Sequence, residues 1–191
     1  MSFFDIITDE QAEQHALDVF NDIDDKFGTI PVFYRLLATA PPLVETYWLN
    51  YNKVILEGAL PAVVKELIFL AIARKLKCRY CSSAHLAICD IFEIDRTTLT
   101  SIMELSIDFQ PTRTAALLEF CLVSLDNPSN ITDQQYKHLY DSGINDIEIM
   151  EALYTVSFAN AGIYMAKMMK VDIDNEVAQY LSQNELSIGF I

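Results

Sequence analysis

The sequence predicts an all-α protein, and three observations carry that reading. Only 5 glycines and 6 prolines punctuate 191 residues, too few for a chain of strands and tight turns. No Asn-Gly or Asp-Gly pair sits between alternating apolar runs, so the strongest hairpin signal is missing. Helix-start signals recur instead. Thr8-Asp9-Glu10-Gln11, Thr132-Asp133-Gln134-Gln135 and Asn145 to Glu148 each place a capping side chain three residues before a Gln or Glu, the capping-box pattern.

The elements follow in order. The first box opens a helix to about Lys26, with Ala12, Ala16, Val19 and Ile23 at helical spacing. Pro31 suits the first turn of a short helix that stops before Pro41-Pro42. A third helix runs to about Glu57, and Gly58 is expected to close it in a left-handed conformation. Pro61 restarts the chain as a helix to about Lys75. Asp95 can cap a helix through Leu105, and Pro111 can start one through Leu125. Asp126 to Asn130 is a loop. The second box opens a short helix ended by Gly143, the third a long one to about Met169, and a last short helix is expected over Asn175 to Leu181.

Composition narrows function by exclusion. Hydrophobic residues at 52% and charged residues at 21% supply a sizeable core. The longest unbroken apolar run, Leu67 to Ala73, falls far short of the roughly 20 residues of a membrane helix. Met1 to Asp5 lacks the basic start of a secretory signal, so a cytoplasmic protein is expected. Thirteen Lys and Arg against 27 Asp and Glu give a net charge of −14, which disfavours nucleic acid and anionic membrane as partners.

Chemistry concentrates in Lys77-Cys78-Arg79-Tyr80-Cys81-Ser82-Ser83-Ala84-His85. On a helix with Cys78 at zero, Cys81 lies at about 300° and His85 at about 340°, so all three share one side. A Cys-x-x-Cys on a first helical turn is the geometry of a redox dithiol, because exposed backbone N–H groups there stabilise a thiolate. The imidazole one turn on can accept or return a proton. Upstream, Glu66 is in register with Val63, Leu70 and Ala73. A carboxylate in that stripe is expected to be partly buried, where desolvation disfavours its charge and suits it to general-base work. It faces the dithiol if the chain turns near Leu76-Lys77, although no Gly or Pro marks a turn. Three ligands could also come from Cys78, Cys81 and His85 for zinc, but a fourth is not evident. Cys89 and Cys121 lie among apolar neighbours and read as core. Met165, Met168 and Met169 read as a core or subunit-contact face. Tyr80 can lend its hydroxyl to the site or simply pack.

The order Glu66, eleven residues, Cys78-x-x-Cys81, three residues, His85 resembles the signature of the alkylhydroperoxidase D and carboxymuconolactone decarboxylase superfamily. Gly28-Thr29-Ile30-Pro31, Ala40-Pro41-Pro42, Gly58-Ala59-Leu60 and Lys65-Glu66-Leu67 fit the same resemblance, which is strongest for the peroxidase-related branch and covers about residues 25–125. It implies one all-helical domain over 1–191, an alkylhydroperoxidase D-like bundle with its core at about 25–125 and a helical extension at about 132–181. It further implies a homo-oligomer and a thiol-dependent peroxidase that needs no cofactor or metal. By position, Cys81 attacks a small hydroperoxide, Cys78 resolves the resulting sulfenic acid as a disulfide, and Glu66 and His85 relay protons. The implied reductant is a dithiol, lipoyl- or thioredoxin-like. Well-studied alkylhydroperoxidases carry a histidine where this chain has Tyr80. A non-redox lactone decarboxylase and a metal-holding binding protein are the alternatives, and both thiols argue against the former.

Overall fold

The computed structural model describes residues 3–187, so the first two residues and the tail from 188 lie outside it. Among the described residues the chain is helical throughout: α1 (Gln14–Phe27), α2 (Val32–Leu37), α3 (Pro41–Asn50), a π-helical turn (Tyr51–Leu56), α4 (Ala62–Lys75), α5 (Arg79–Ile91), α6 (Arg96–Met103), α7 (Thr112–Asp126), a 3-10 turn (Pro128–Asn130), α8 (Asp133–Asp141), α9 (Asp146–Met168) and α10 (Asn175–Gln183).

Helix α4 is the axis of the bundle. It is apolar on most faces, as a helix enclosed on all sides must be, and it packs against α5, α6, α7 and α9. Every residue from Val64 to Ala73 is buried, including Lys65 and Glu66. The loop at 127–131 does not divide this core. Leu139, Ile144, Ile149 and Ala152 beyond it join the same buried cluster as Leu117 and Leu118 before it. Among the described residues no helix is long and apolar enough to cross a membrane.

Most helix starts fall where the capping signals place them. Thr132 and Asn145 form complete capping boxes with Gln135 and Glu148, and Asp95 accepts from the Thr98 N–H at 2.9 Å. Gly143 ends α8 with φ 78°. Two expectations need correction. The Thr8 box forms only one turn: the Thr8 N–H donates to Gln11 at 3.0 Å, but α1 begins at Gln14. Gly58 is not left-handed either. It is needed for close approach, because a Cβ there would overlap Glu151, lie 2.5 Å from Lys65 Nζ and 2.7 Å from the Val54 carbonyl oxygen.

The unmarked turn at Leu76-Lys77 is real. Lys77 adopts φ 54°, and Glu93, Leu105, Lys170 and Glu185 take the same left-handed conformation at other helix ends. A left-handed non-glycine residue costs on the order of 1 kcal/mol. Each end repays it with the paired bonds of a Schellman turn, as where Lys77 N–H donates to Arg74 O and Cys78 N–H to Ala73 O. Low glycine content therefore hid these turns without preventing them.

Candidate active site

The Schellman turn that ends α4 hands the chain directly to α5. Cys78 is both the residue whose N–H closes α4 and the N-cap of α5, where its sulfur accepts from the Cys81 N–H at 3.3 Å. Both cysteines are buried and joined as a disulfide, with Cα atoms 5.3 Å apart. Helix α5 then folds back along α4. This brings His85 onto Glu66 across 19 residues of sequence, with Nδ1 2.6 Å from Oε2. The four residues singled out from the sequence thus form two pairs, the Cys78–Cys81 disulfide at the α4–α5 junction and Glu66–His85 between the two helices.

Glu66 is fully buried, and both its oxygens are engaged. The second accepts from the Tyr51 hydroxyl at 2.6 Å. With a carboxylate as partner, His85 Nδ1 is the protonated nitrogen, which leaves Nε2 for proton transfer. The imidazole is also stacked on Phe69, with centroids 4.5 Å apart and planes within 18°. Ring position and tautomer are both constrained.

Tyr51 has no counterpart in the sequence reading. It opens the π-helical turn that follows α3, a segment read there as ordinary helix. Tyr51 and Ile55 continue the buried stripe of Val44 and Trp48 into the core. Burial, followed by the Glu66 charge, pushes the Tyr51 phenol far above its usual value, so it remains a donor. Tyr51→Phe strands a buried carboxylate oxygen. We expect it to lower stability by about 1–3 kcal/mol, read from the urea midpoint; an unchanged midpoint would show that Glu66 finds another donor.

A cavity of about 280 Å³ opens beside these groups. Cys81 and His85 line it, whereas Cys78 does not. Its walls are mainly apolar and aromatic, with Phe33, Tyr34, Tyr47, Phe69 and Tyr80 among them. The C-terminal segment closes one side. Asp174, the N-cap of α10, accepts the Val32 N–H at 2.8 Å and bonds the Tyr80 hydroxyl. Burial raises the Asp174 carboxyl and, more strongly, the Tyr80 phenol, so Tyr80 keeps its proton. Tyr80 thus lends its ring to the cavity and its hydroxyl to the C-terminal segment.

The remaining candidates separate cleanly. Cys89 and Cys121 are buried in the core, and desolvation pushes both thiols well above their ordinary value. Met169 is buried and Met168 is exposed. Among the described residues no three His, Cys, Asp or Glu side chains converge to hold a metal ion. Cys78 and Cys81 are bonded to each other, and His85 is turned to Glu66.

Residues 42–105, which contain all four site residues and Tyr51, match the model of the carboxymuconolactone decarboxylase family. The match spans 64 of the 191 residues. The whole bundle is similar to solved structures of the alkylhydroperoxidase D type. An uncharacterized peroxidase-related protein from Ralstonia eutropha JMP134, described as an alkylhydroperoxidase AhpD core, superposes with a TM-score of 0.85 at 21% identity, over 94% of this chain and 95% of that one. A peroxidase-related protein from Silicibacter sp. TM1040 gives 0.83 at 20% identity, over 92% and 93%. The debrominase Bmp8, solved with 2,3,4-tribromopyrrole, gives 0.74 at 15% identity, over 96% and 99%. At these identities the similarity establishes the fold, including the C-terminal helices. No curated protein matches the chain significantly.

Proposed function

We propose that the protein is a thiol-dependent peroxidase that reduces small organic hydroperoxides through Cys81 and Cys78. One observation carries the reading: the disulfide pair stands at a helix start with only Cys81 on the cavity wall, beside a histidine held by a buried carboxylate.

The steps balance. With the dithiol reduced, His85 Nε2 takes the Cys81 proton. The thiolate attacks the terminal peroxide oxygen, the O–O bond breaks, and the S–O bond of a sulfenic acid forms. The alkoxide leaves with the proton from His85. Glu66 supports the transient imidazolium, and Tyr51 keeps that carboxylate in place. The Cys78 thiol then attacks the sulfenic sulfur, releases water and closes the disulfide. An external dithiol, lipoyl- or thioredoxin-like, reopens it by exchange and supplies both electrons. The apolar walls favour a hydroperoxide with a hydrocarbon body over hydrogen peroxide.

A second acceptor suits the same dithiol. The aromatic lining can hold a flat halogenated ring, in which carbon–halogen cleavage with two thiols yields the dehalogenated ring, halide, a proton and the disulfide. The Bmp8 complex with a brominated pyrrole prompts this alternative.

The test begins with reduced protein and one equivalent of cumene hydroperoxide. The expected product has lost two hydrogens and yields a Cys78–Cys81 linked peptide on mass spectrometry, reversed by dithiothreitol. Oxidation confined to Cys89 or Cys121, or an unreacted thiol pair, sinks the peroxidase reading. Disulfide formation with a bromopyrrole but not with the hydroperoxide selects the second acceptor.

A further inference from the structure

Five tyrosines stand on the cavity wall, and three of them are engaged by the protein. Tyr51 donates to Glu66, Tyr80 bonds Asp174, and Tyr180 donates to Asp90 at 2.8 Å. The hydroxyls of Tyr34 and Tyr47 have no hydrogen-bond partner among the described residues. Tyr34 is only 6% exposed, yet neither hydroxyl is sealed in the core, and both residues open on the cavity. Their rings meet edge to face with centroids 6.0 Å apart. Tyr47 also packs on Phe158 at 4.5 Å and ends against α9 at Gly162, where a Cβ would overlap its hydroxyl. Alanine would suit the middle of a helix better, so the glycine there leaves room for that hydroxyl. Phe158 in turn meets Phe69, and Phe69 lies on His85, so one continuous run of rings joins Tyr47 to the reactive imidazole. Burial above all pushes both phenols up, which keeps both as donors. The cavity wall includes Asp174 and Glu176 but, among the described residues, neither lysine nor arginine.

We propose that Tyr34 and Tyr47 are specificity-determining residues, whose hydroxyls hold a ketone carbonyl on the apolar body of the substrate. The inference rests on the peroxidase reading for the reaction at Cys81, and on the cavity alone for the carbonyl. In an empty cavity, water can serve the two hydroxyls. A ligand that fills the space with hydrocarbon alone displaces that water and strands both donors, which is unfavourable in apolar surroundings. The ligand that suits this wall therefore brings an acceptor of its own. A carboxylate or phosphate would accept, but it would enter a wall that carries carboxylates and no cation to meet it. A ligand hydroxyl would add a donor that needs a further partner. A carbonyl oxygen is uncharged, donates nothing and has two lone pairs, so it answers two phenol donors on adjacent rings. A few placed polar groups in an apolar cavity fix which way a ligand lies. Here they would turn the oxidised end of the ligand away from the carbonyl and toward Cys81. The preferred substrate is thus an oxo-substituted organic hydroperoxide, ahead of a plain alkyl one.

The experiment uses the full chain in its disulfide form, so that binding is read apart from peroxide chemistry. Three probes of similar size, para-fluoroacetophenone, para-fluoroethylbenzene and para-fluorobenzoate, are titrated by fluorine NMR. Tyr34→Phe and Tyr47→Phe should each weaken the ketone about two- to tenfold and should not weaken the hydrocarbon. The infrared carbonyl stretch of the bound ketone should lie below its value in hexane and move back toward that value in each variant. Neither variant should lower the urea midpoint, in contrast to Tyr51→Phe, because no protein group loses a partner. Tyr34→Phe alone decides the matter if Tyr47→Phe misfolds. Failure of the ketone to bind, equal losses for ketone and hydrocarbon, a carbonyl stretch unmoved by either substitution, or tighter binding of the benzoate overturns the carbonyl site. If the hydroperoxide fails to close the disulfide while these binding results hold, the peroxidase reading falls and the carbonyl site stands; the reverse pattern strikes the carbonyl site alone.

Discussion

Cys81→Ser should abolish hydroperoxide turnover with dithiothreitol, a loss of about a thousandfold or more. A serine hydroxyl is not ionised at neutral pH, so His85 would have no comparable nucleophile to activate. Cys78→Ser should behave differently. Cys81 still reacts once, but the sulfenic acid has no neighbouring thiol, so it persists or oxidises further and the protein gains oxygen instead of losing two hydrogens. Stopped-flow consumption of peroxide with mass spectrometry separates the two variants. Retained turnover in Cys81→Ser would falsify the assignment of the attacking thiol. A reaction indifferent to both substitutions would favour a decarboxylase-like activity, which does not need the thiols.

Glu151→Ala should be the most destabilising single change outside the site, by about 3–5 kcal/mol. Lys65 is wholly buried, and its ammonium is met by Glu151 at 3.0 Å and by the Val54 carbonyl within the π-helical turn. The same carboxylate accepts from the Ala59 and Leu60 N–H groups at 2.7 and 2.9 Å. Removing it strands a buried charge and two backbone donors together, and loosens the segment that delivers Tyr51 to Glu66. A fall in urea midpoint worth less than about 1 kcal/mol would contradict this. The pair also sets a pH dependence. Desolvation opposes the Glu151 charge, but the two N–H donors and Lys65 outweigh it and hold the carboxyl below its ordinary 4.5. A group lowered on folding stabilises above its unfolded value and loses that contribution as pH falls through the folded value. Wild type should thus lose stability below about pH 4.5 through this group, and Glu151→Ala should lack that component.

The site was legible to the extent that it is local. Cys78, Cys81 and His85 share one helical face, and Glu66 sits one helix upstream at a recognisable separation. Tyr51 was not legible. It falls on the same buried stripe as Val44 and Trp48, and nothing local shows that this stripe lies against Glu66 of a later helix. Asp174 was hidden for a different reason: its partners, Val32 and Tyr80, lie far back in the chain. Gly58 was noticed for the wrong property. Its missing Cβ admits Lys65 and Glu151, whereas a left-handed backbone was expected. The turn at Lys77 could be assumed but not read, because a lysine fills the position that glycine usually marks.

By itself, the sequence determined that the chain is helical, where most helices start, and that Cys78 and Cys81 stand apart from Cys89 and Cys121 as a pair. Periodicity, capping and motif spacing act within a few turns, so they survive in one dimension. Tertiary structure alone decided that Cys81 and not Cys78 faces the cavity, that Tyr51 holds Glu66, that α10 closes the wall through Asp174, and that the Tyr34 and Tyr47 hydroxyls reach the cavity without a partner. Each depends on the direction in which one helix lies across another, which side-chain packing sets and no local pattern records.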